Sequence, residues 1–162
     1  MRVFKQIRSN FHSAADILLF LRIFSLITIL PLLVNYLTVP QLMRALTPAK
    51  GASGRKSRSE DLRNKVEKYT DYILDKGILI YRRICLKRSL VLYHFLRKYG
   101  IDVHICFGVR YKKASDGETK KELEGHAWLL HDGNIFLEKN PAEEINTYKM
   151  TYCFPGEGGS LS

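Results

Sequence analysis

From Ile23 to Val39 the chain carries no charged residue, and that run limits what its first part can be. A stretch this long and apolar is covered by protein, lies in a lipid interface or crosses a membrane. Arg22 stands in the middle of the wider apolar segment, and Pro31 divides it. Ser13, Asp16, Arg22, Ser25 and Thr28 recur at multiples of three, drawing a narrow polar stripe along a helix. The pattern predicts a mostly buried helix ending near Pro31, a shorter one to about Tyr36, and a helical turn after Pro40. Helices packed on the main domain, or resting on a membrane surface, fit these interruptions better than a true span. The segment does not read as a cleavable signal peptide, because the run is too long and no small-residue cleavage site follows.

Residues 47–59, TPAKGASGRKSRS, are small, polar and basic, as in a flexible linker. They divide an apolar helical segment, 1–46, from a main domain expected over 60–155, with a disordered tail at 156–162. Ser57 and Glu60 have the spacing of a capping box, in which each side chain satisfies the other's backbone amide. Leu62, Val66, Tyr69 and Ile73 then follow at helical spacing, predicting an amphipathic helix to about Lys76, broken by Gly77. A second helix is expected from Cys85 to Gly100, the glycine serving as its C-terminal stop.

Beyond Gly100 the period changes. Val103, Ile105, Phe107 and Val109 alternate with His104, Cys106, Gly108 and Arg110, which is strand periodicity. A charged loop, 112–121, leads to LEGHAWLL, then Asp132-Gly133, then IFLE. Asp-Gly between apolar runs signals a hairpin. Helices followed by an antiparallel sheet make the class α+β.

The 162 residues include 26 Lys and Arg against 16 Asp and Glu, a net charge of +10. Nucleic acid, an anionic membrane or an acidic peptide suits such a charge, and so does a plain solvated surface. Basic residues are not interleaved with stacking aromatics, which counts against a nucleic-acid platform. No glycine-rich phosphate loop or dinucleotide fingerprint is present, so no nucleotide cofactor is expected. The three cysteines, Cys85, Cys106 and Cys153, have no CxxC spacing. A disulfide framework is therefore not expected, and a reducing, cytoplasmic setting is. His104, Cys106, His131 and Cys85 lack a recognised zinc spacing, so no metal is expected either.

Cys85 opens a helix amid Arg82, Arg83, Lys87 and Arg88. The positive helix end and these cations stabilise a thiolate, which makes Cys85 the best nucleophile candidate of the three. Cys106 alternates along a strand, and Cys153 lies near the tail. A cysteine nucleophile needs a base, and the base an orienting group. His126, in GHAWLL beside the chain's single Trp, is the candidate base. The alternative for both is ordinary: a small core cysteine and a satisfied strand histidine.

The wording and order of ICLKRSLVLYHFLRKYGIDVHICFGVR and GHAWLLHDGNIFLE resemble the leader peptidase of lasso-peptide biosynthesis. That family is transglutaminase-like and papain-related, and the resemblance runs from about residue 60 to 140. It implies a Cys-bearing helix packed on a small antiparallel sheet, preceded by apolar helices. It also implies removal of a leader peptide from a ribosomally made precursor, through a thioester on Cys85. The expected partners are the precursor, a separate leader-recognition protein and an ATP-dependent cyclase. No winged-helix-like recognition segment precedes the apolar helices, so the leader is expected to be delivered by another protein.

The third catalytic member has two candidates, Glu138 and Asp132. The family's acid falls where this chain has Glu138, whereas Asp132 belongs to the turn and is favoured there for backbone reasons. Strand parity separates them. A two-residue turn pairs His131 with Asn134 and puts Glu138 on the face opposite His126, so a Glu138 triad requires an odd-length loop or a bulge. The second oxyanion donor is open, with Tyr81 a weak candidate. Two other functions stay open: a transglutaminase-like acyl or amide transferase, which uses the same triad, and a non-enzymatic basic module on lipid or nucleic acid, which leaves the order of Cys85 and His126 unexplained.

Overall fold

A computed structural model of the chain describes residues 13–48, 56–75, 85–111, 123–140 and 142–156. Five helices and four strands appear in the order α1 (Ala14–Tyr36), α2 (Val39–Leu46), α3 (Lys56–Asp75), α4 (Cys85–Lys98), β1 (Val103–Tyr111), β2 (Leu123–His131), β3 (Asn134–Phe136), α5 (Ala142–Ile145) and β4 (Lys149–Phe154). The strands form one antiparallel sheet in the order β3-β2-β1-β4. The class is α+β, as expected.

Helix α4 is the centre of the molecule. It packs on β1 and β2 and is covered by α1, α2 and α3. Every residue from Arg88 to Tyr93 is buried, so this helix has no solvent face along that stretch. It ends where Gly100 takes a φ of 81°. There the Gly100 amide donates to the Arg97 carbonyl and the Ile101 amide to the Leu96 carbonyl, the paired bonds of a Schellman stop. Val66, Tyr69, Ile73 and Leu74 supply the buried face of α3. That helix begins at Lys56, inside the segment expected to be linker.

Helix α1 differs from expectation in two ways. It runs unbroken through Pro31 instead of ending there, and most of it is exposed instead of buried. Asp16, Leu19, Ile23, Ile27 and Leu30 form a single buried stripe. The expected polar stripe is not one face, because Asp16 turns inward to Lys65 at 3.1 Å while Ser25 and Thr28 face out. Phe20 rests edge-on against Tyr69 of α3 at 5.8 Å, one of the contacts that hold α1 along the domain. Among the described residues it is the one helix long and apolar enough to cross a membrane.

Strand β4 overturns the expectation that the cysteines form no disulfide, on which the reducing setting was based. Cys106 and Cys153 are cross-strand partners, with Cα atoms 4.1 Å apart, and are joined as a disulfide. The pairing depends on the register of strands whose residues are 47 apart in sequence, which cysteine spacing does not reveal. Cys85 is left as the free thiol.

Candidate active site

Cys85 is the first residue of α4, half-buried, and faces β2. Two hydrogen bonds dock this helix end onto that strand. The Ala127 amide donates to the Cys85 sulfur, and the Ser89 hydroxyl, one turn on, donates to the Ala127 carbonyl at 2.8 Å. Both groups of one peptide residue are thereby tied to α4. His126 is the preceding strand residue, and its imidazole shares a side-chain hydrogen bond with the thiol.

The imidazole sits among aromatic rings. Trp128, two residues along the same strand face, lies nearly parallel to it at 6.1 Å, and Tyr148 lies at 5.1 Å. Tyr148 is in turn covered by the Arg110 guanidinium, 4.2 Å from the ring centroid, which pairs with Glu124 and Glu144. Gly108 faces His126 across β1 and β2. A Cβ at Gly108 would stand 2.7 Å from the Trp128 ring, so only glycine lets that ring lie where it does.

Glu138 completes the cluster: its Oε2 lies 3.6 Å from His126 Nε2, and both side chains are nine-tenths buried. That separation is within ion-pair reach and slightly beyond a hydrogen bond, and Nε2 has no hydrogen-bond partner closer at hand. The parity argument explains how Glu138 arrives. The hairpin has the two-residue turn, His131 pairing with Asn134, which alone would put Glu138 on the wrong face. Leu137 has a φ of 52°, a left-handed conformation that ends β3 at Phe136 and turns the next residue back. For a residue other than glycine this conformation costs roughly 1–2 kcal/mol. Asp132 is elsewhere: it sits in the turn, 86% exposed, with its carboxylate 3.6 Å from His131.

The electrostatics follow from these neighbours. Burial pushes the Cys85 thiol up, but the hydrogen bond to His126 and the Ala127 amide outweigh it, so the thiol ionises below its ordinary range. The Cys85 sulfur, then the Glu138 carboxylate, raise His126 to about 9 against the opposing effect of burial. Burial likewise works against the Glu138 carboxylate, but His126, the Lys139 amide and the Arg88 charge hold it below the usual carboxylate range. Both shifts run towards a thiolate beside an imidazolium. Part of the expected cause is present, since the Leu86 amide at the helix start also lowers the thiol. Arg82 and Arg83 lie outside the described residues, and Arg88 points to Asp71 and Glu67 instead of surrounding the sulfur.

Two of the residues weighed as metal ligands are otherwise engaged. Cys106 is in the disulfide, and His131 Nδ1 bonds the Asp102 carbonyl at 2.8 Å. Tyr81 and the charged loop lie outside the described residues. Tyr148 and the Ala127 amide carry no spacing signal in the sequence, whereas Ser89 lies four residues after Cys85 on the same helix face. Arg88, expected to add positive potential around Cys85, is instead buried and paired with Asp71 and Glu67.

Residues 26–152, well over half of the chain, match the family model of the transglutaminase-like superfamily, whose members are commonly cysteine-dependent enzymes. No curated protein and no solved structure matches the chain.

Proposed function

Because the chain belongs to the transglutaminase-like superfamily, we propose that it is a papain-related cysteine peptidase that removes the leader from a ribosomally made, lasso-type precursor peptide. The observation that carries this reading is the convergence of Cys85, His126 and Glu138 in one half-buried cluster. The Cys85 thiolate attacks the scissile carbonyl carbon. The C–N bond breaks as His126 gives its proton to the leaving amine, and the leader remains on the sulfur as a thioester. Neutral His126 then takes a proton from water, which attacks the thioester. The products are the leader carboxylate and the regenerated thiolate–imidazolium pair. Glu138 holds the ring and stabilises its charged form. The Cys85 main-chain amide, at the start of α4, is the oxyanion donor this mechanism uses.

The partners in this account are the precursor, a separate protein that binds the leader, and an ATP-dependent cyclase that receives the freed peptide. The enzyme works at an anionic membrane surface. Two features support that location. The outer face of α1 presents Leu18, Leu21, Ile29 and Leu32, about half exposed each. Beside it, Arg22 and Lys98 line a cleft of about 400 Å³ with Leu21, so cations border the apolar face.

The test is incubation of precursor with the chain and the leader-binding protein, followed by mass spectrometry. Two fragments whose masses sum to the precursor plus one water are expected. Joined fragments without added water identify acyl transfer instead. No change in the precursor with native protein, or unchanged cleavage by Cys85→Ala, overturns the enzymatic reading.

A further inference from the structure

We propose that Arg88 is a positioning residue that holds Glu138 against His126 by clamping the bend at Leu137. The inference rests on the triad reading and adds to it the device that assembles the triad. Arg88 is buried, and its guanidinium donates to the Leu137 carbonyl through one arm. Its Nε and Nη2 engage Asp71 of α3 at 2.8 and 3.3 Å. Asp71 also takes Lys139, the residue after Glu138, at 2.6 Å. The residues on both sides of Glu138 are thus tied to one buried ion cluster, at Leu137 by carbonyl and at Lys139 by ammonium.

The clamp explains why Leu137, which has no intrinsic preference for φ of 52°, stays there. A fork of planar donors reaches a carboxylate and a carbonyl together, which a single ammonium cannot do. Cys85, Arg88 and Ser89 lie at i, i+3 and i+4 on one helix face. Ser89 fixes the peptide next to His126, and Arg88 fixes the peptide next to Glu138. One turn of α4 therefore places all three members of the cluster.

Arg88→Lys keeps the buried charge for Asp71 and loses the second arm. Leu137→Val leaves the cluster intact and disfavours the left-handed bend, since β-branched residues resist it. Both are measured by the NMR titration of His126 and by the pH dependence of Cys85 alkylation, with melting curves to confirm folding. In both, His126 is expected to move from about 9 towards its ordinary value. Alkylation at neutral pH should slow about 10-fold, and kcat should fall about 10–100-fold with KM little changed. Leu137→Gly placed in the Arg88→Lys protein should recover part of the loss, because glycine holds the bend unaided. Native protein with a perturbed His126 and variants indistinguishable from it would overturn the clamp alone. Native protein with an ordinary His126 and an ordinary thiol would overturn the triad, and the clamp with it.

Discussion

Glu138 Oε2 stands 3.6 Å from His126 Nε2, in a pocket where both side chains are almost wholly buried. A buried carboxylate at that distance stabilises the imidazolium far more than a surface one would, because little water screens the pair. The pH dependence of cleavage follows from it. Rate should rise as the thiol ionises, below its ordinary ~8.5. It should fall again as His126 loses its proton near 9.

Glu138→Gln removes the charge and keeps the shape. The alkaline limb should then move to lower pH and kcat fall about 10²–10⁴-fold, as read from pH–rate profiles. Asp132→Asn, in the exposed turn, should leave both unchanged.

The same titrations affect stability. His126 is raised on folding, so its contribution is full below ~6.5 and is lost as pH climbs through the folded value. That folded value is about 9. Folding also lowers Cys85, whose contribution grows with pH over the same range and offsets this loss in native protein. The decline should therefore be read in Cys85→Ser, where denaturant midpoints should fall as pH rises above ~6.5, and fall less when His126→Gln is added.

Gly108→Ala tests the aromatic shelf. The added Cβ meets the Trp128 ring at 2.7 Å and the Lys149 carbonyl at 3.0 Å, so the indole must move off His126. A loss of about 1–3 kcal/mol is expected from overpacking. Trp128 fluorescence should change, and catalysis should fall more than the fraction of folded protein does.

The two faces of α1 should respond oppositely. Ile27→Ala, at a site fully buried against the domain, should cost about 2–5 kcal/mol in denaturant melts. Leu21→Ser and Leu32→Ser, at sites 53% and 58% exposed, should alter stability by about 0.5 kcal/mol or less. Those two should instead weaken co-sedimentation with anionic phospholipid vesicles, and Arg22→Glu should do the same. Carbonate wash should extract the protein if α1 lies on the surface as proposed, and retention would identify a span.

Most of the fold was legible because it rests on local periodicity. The α3 stripe, the Gly100 stop, the alternation of β1 and the Asp-Gly turn each carry their own signal within a few residues. Cys85 and His126 were also readable as a candidate pair, from residue chemistry and from the resemblance of their surroundings. What was hidden depends on distant partners. Leu137 carries no turn signal, and its bend is held by Arg88, 49 residues earlier. Parity showed that a Glu138 triad needed an irregularity without saying where it lay. The Cys106–Cys153 pair depends on the register of β1 with β4. Pro31 was expected to end α1, but the helix continues to Tyr36, with Leu30 buried before the proline and Leu33 packed on the core after it.

The most direct measurement is the ultraviolet absorbance of the thiolate against pH, taken as the difference between native protein and Cys85→Ser. A midpoint below ~8.5, displaced upward in His126→Ala, is the predicted result. A midpoint at or above that value in native protein, unchanged by loss of His126, would contradict the account.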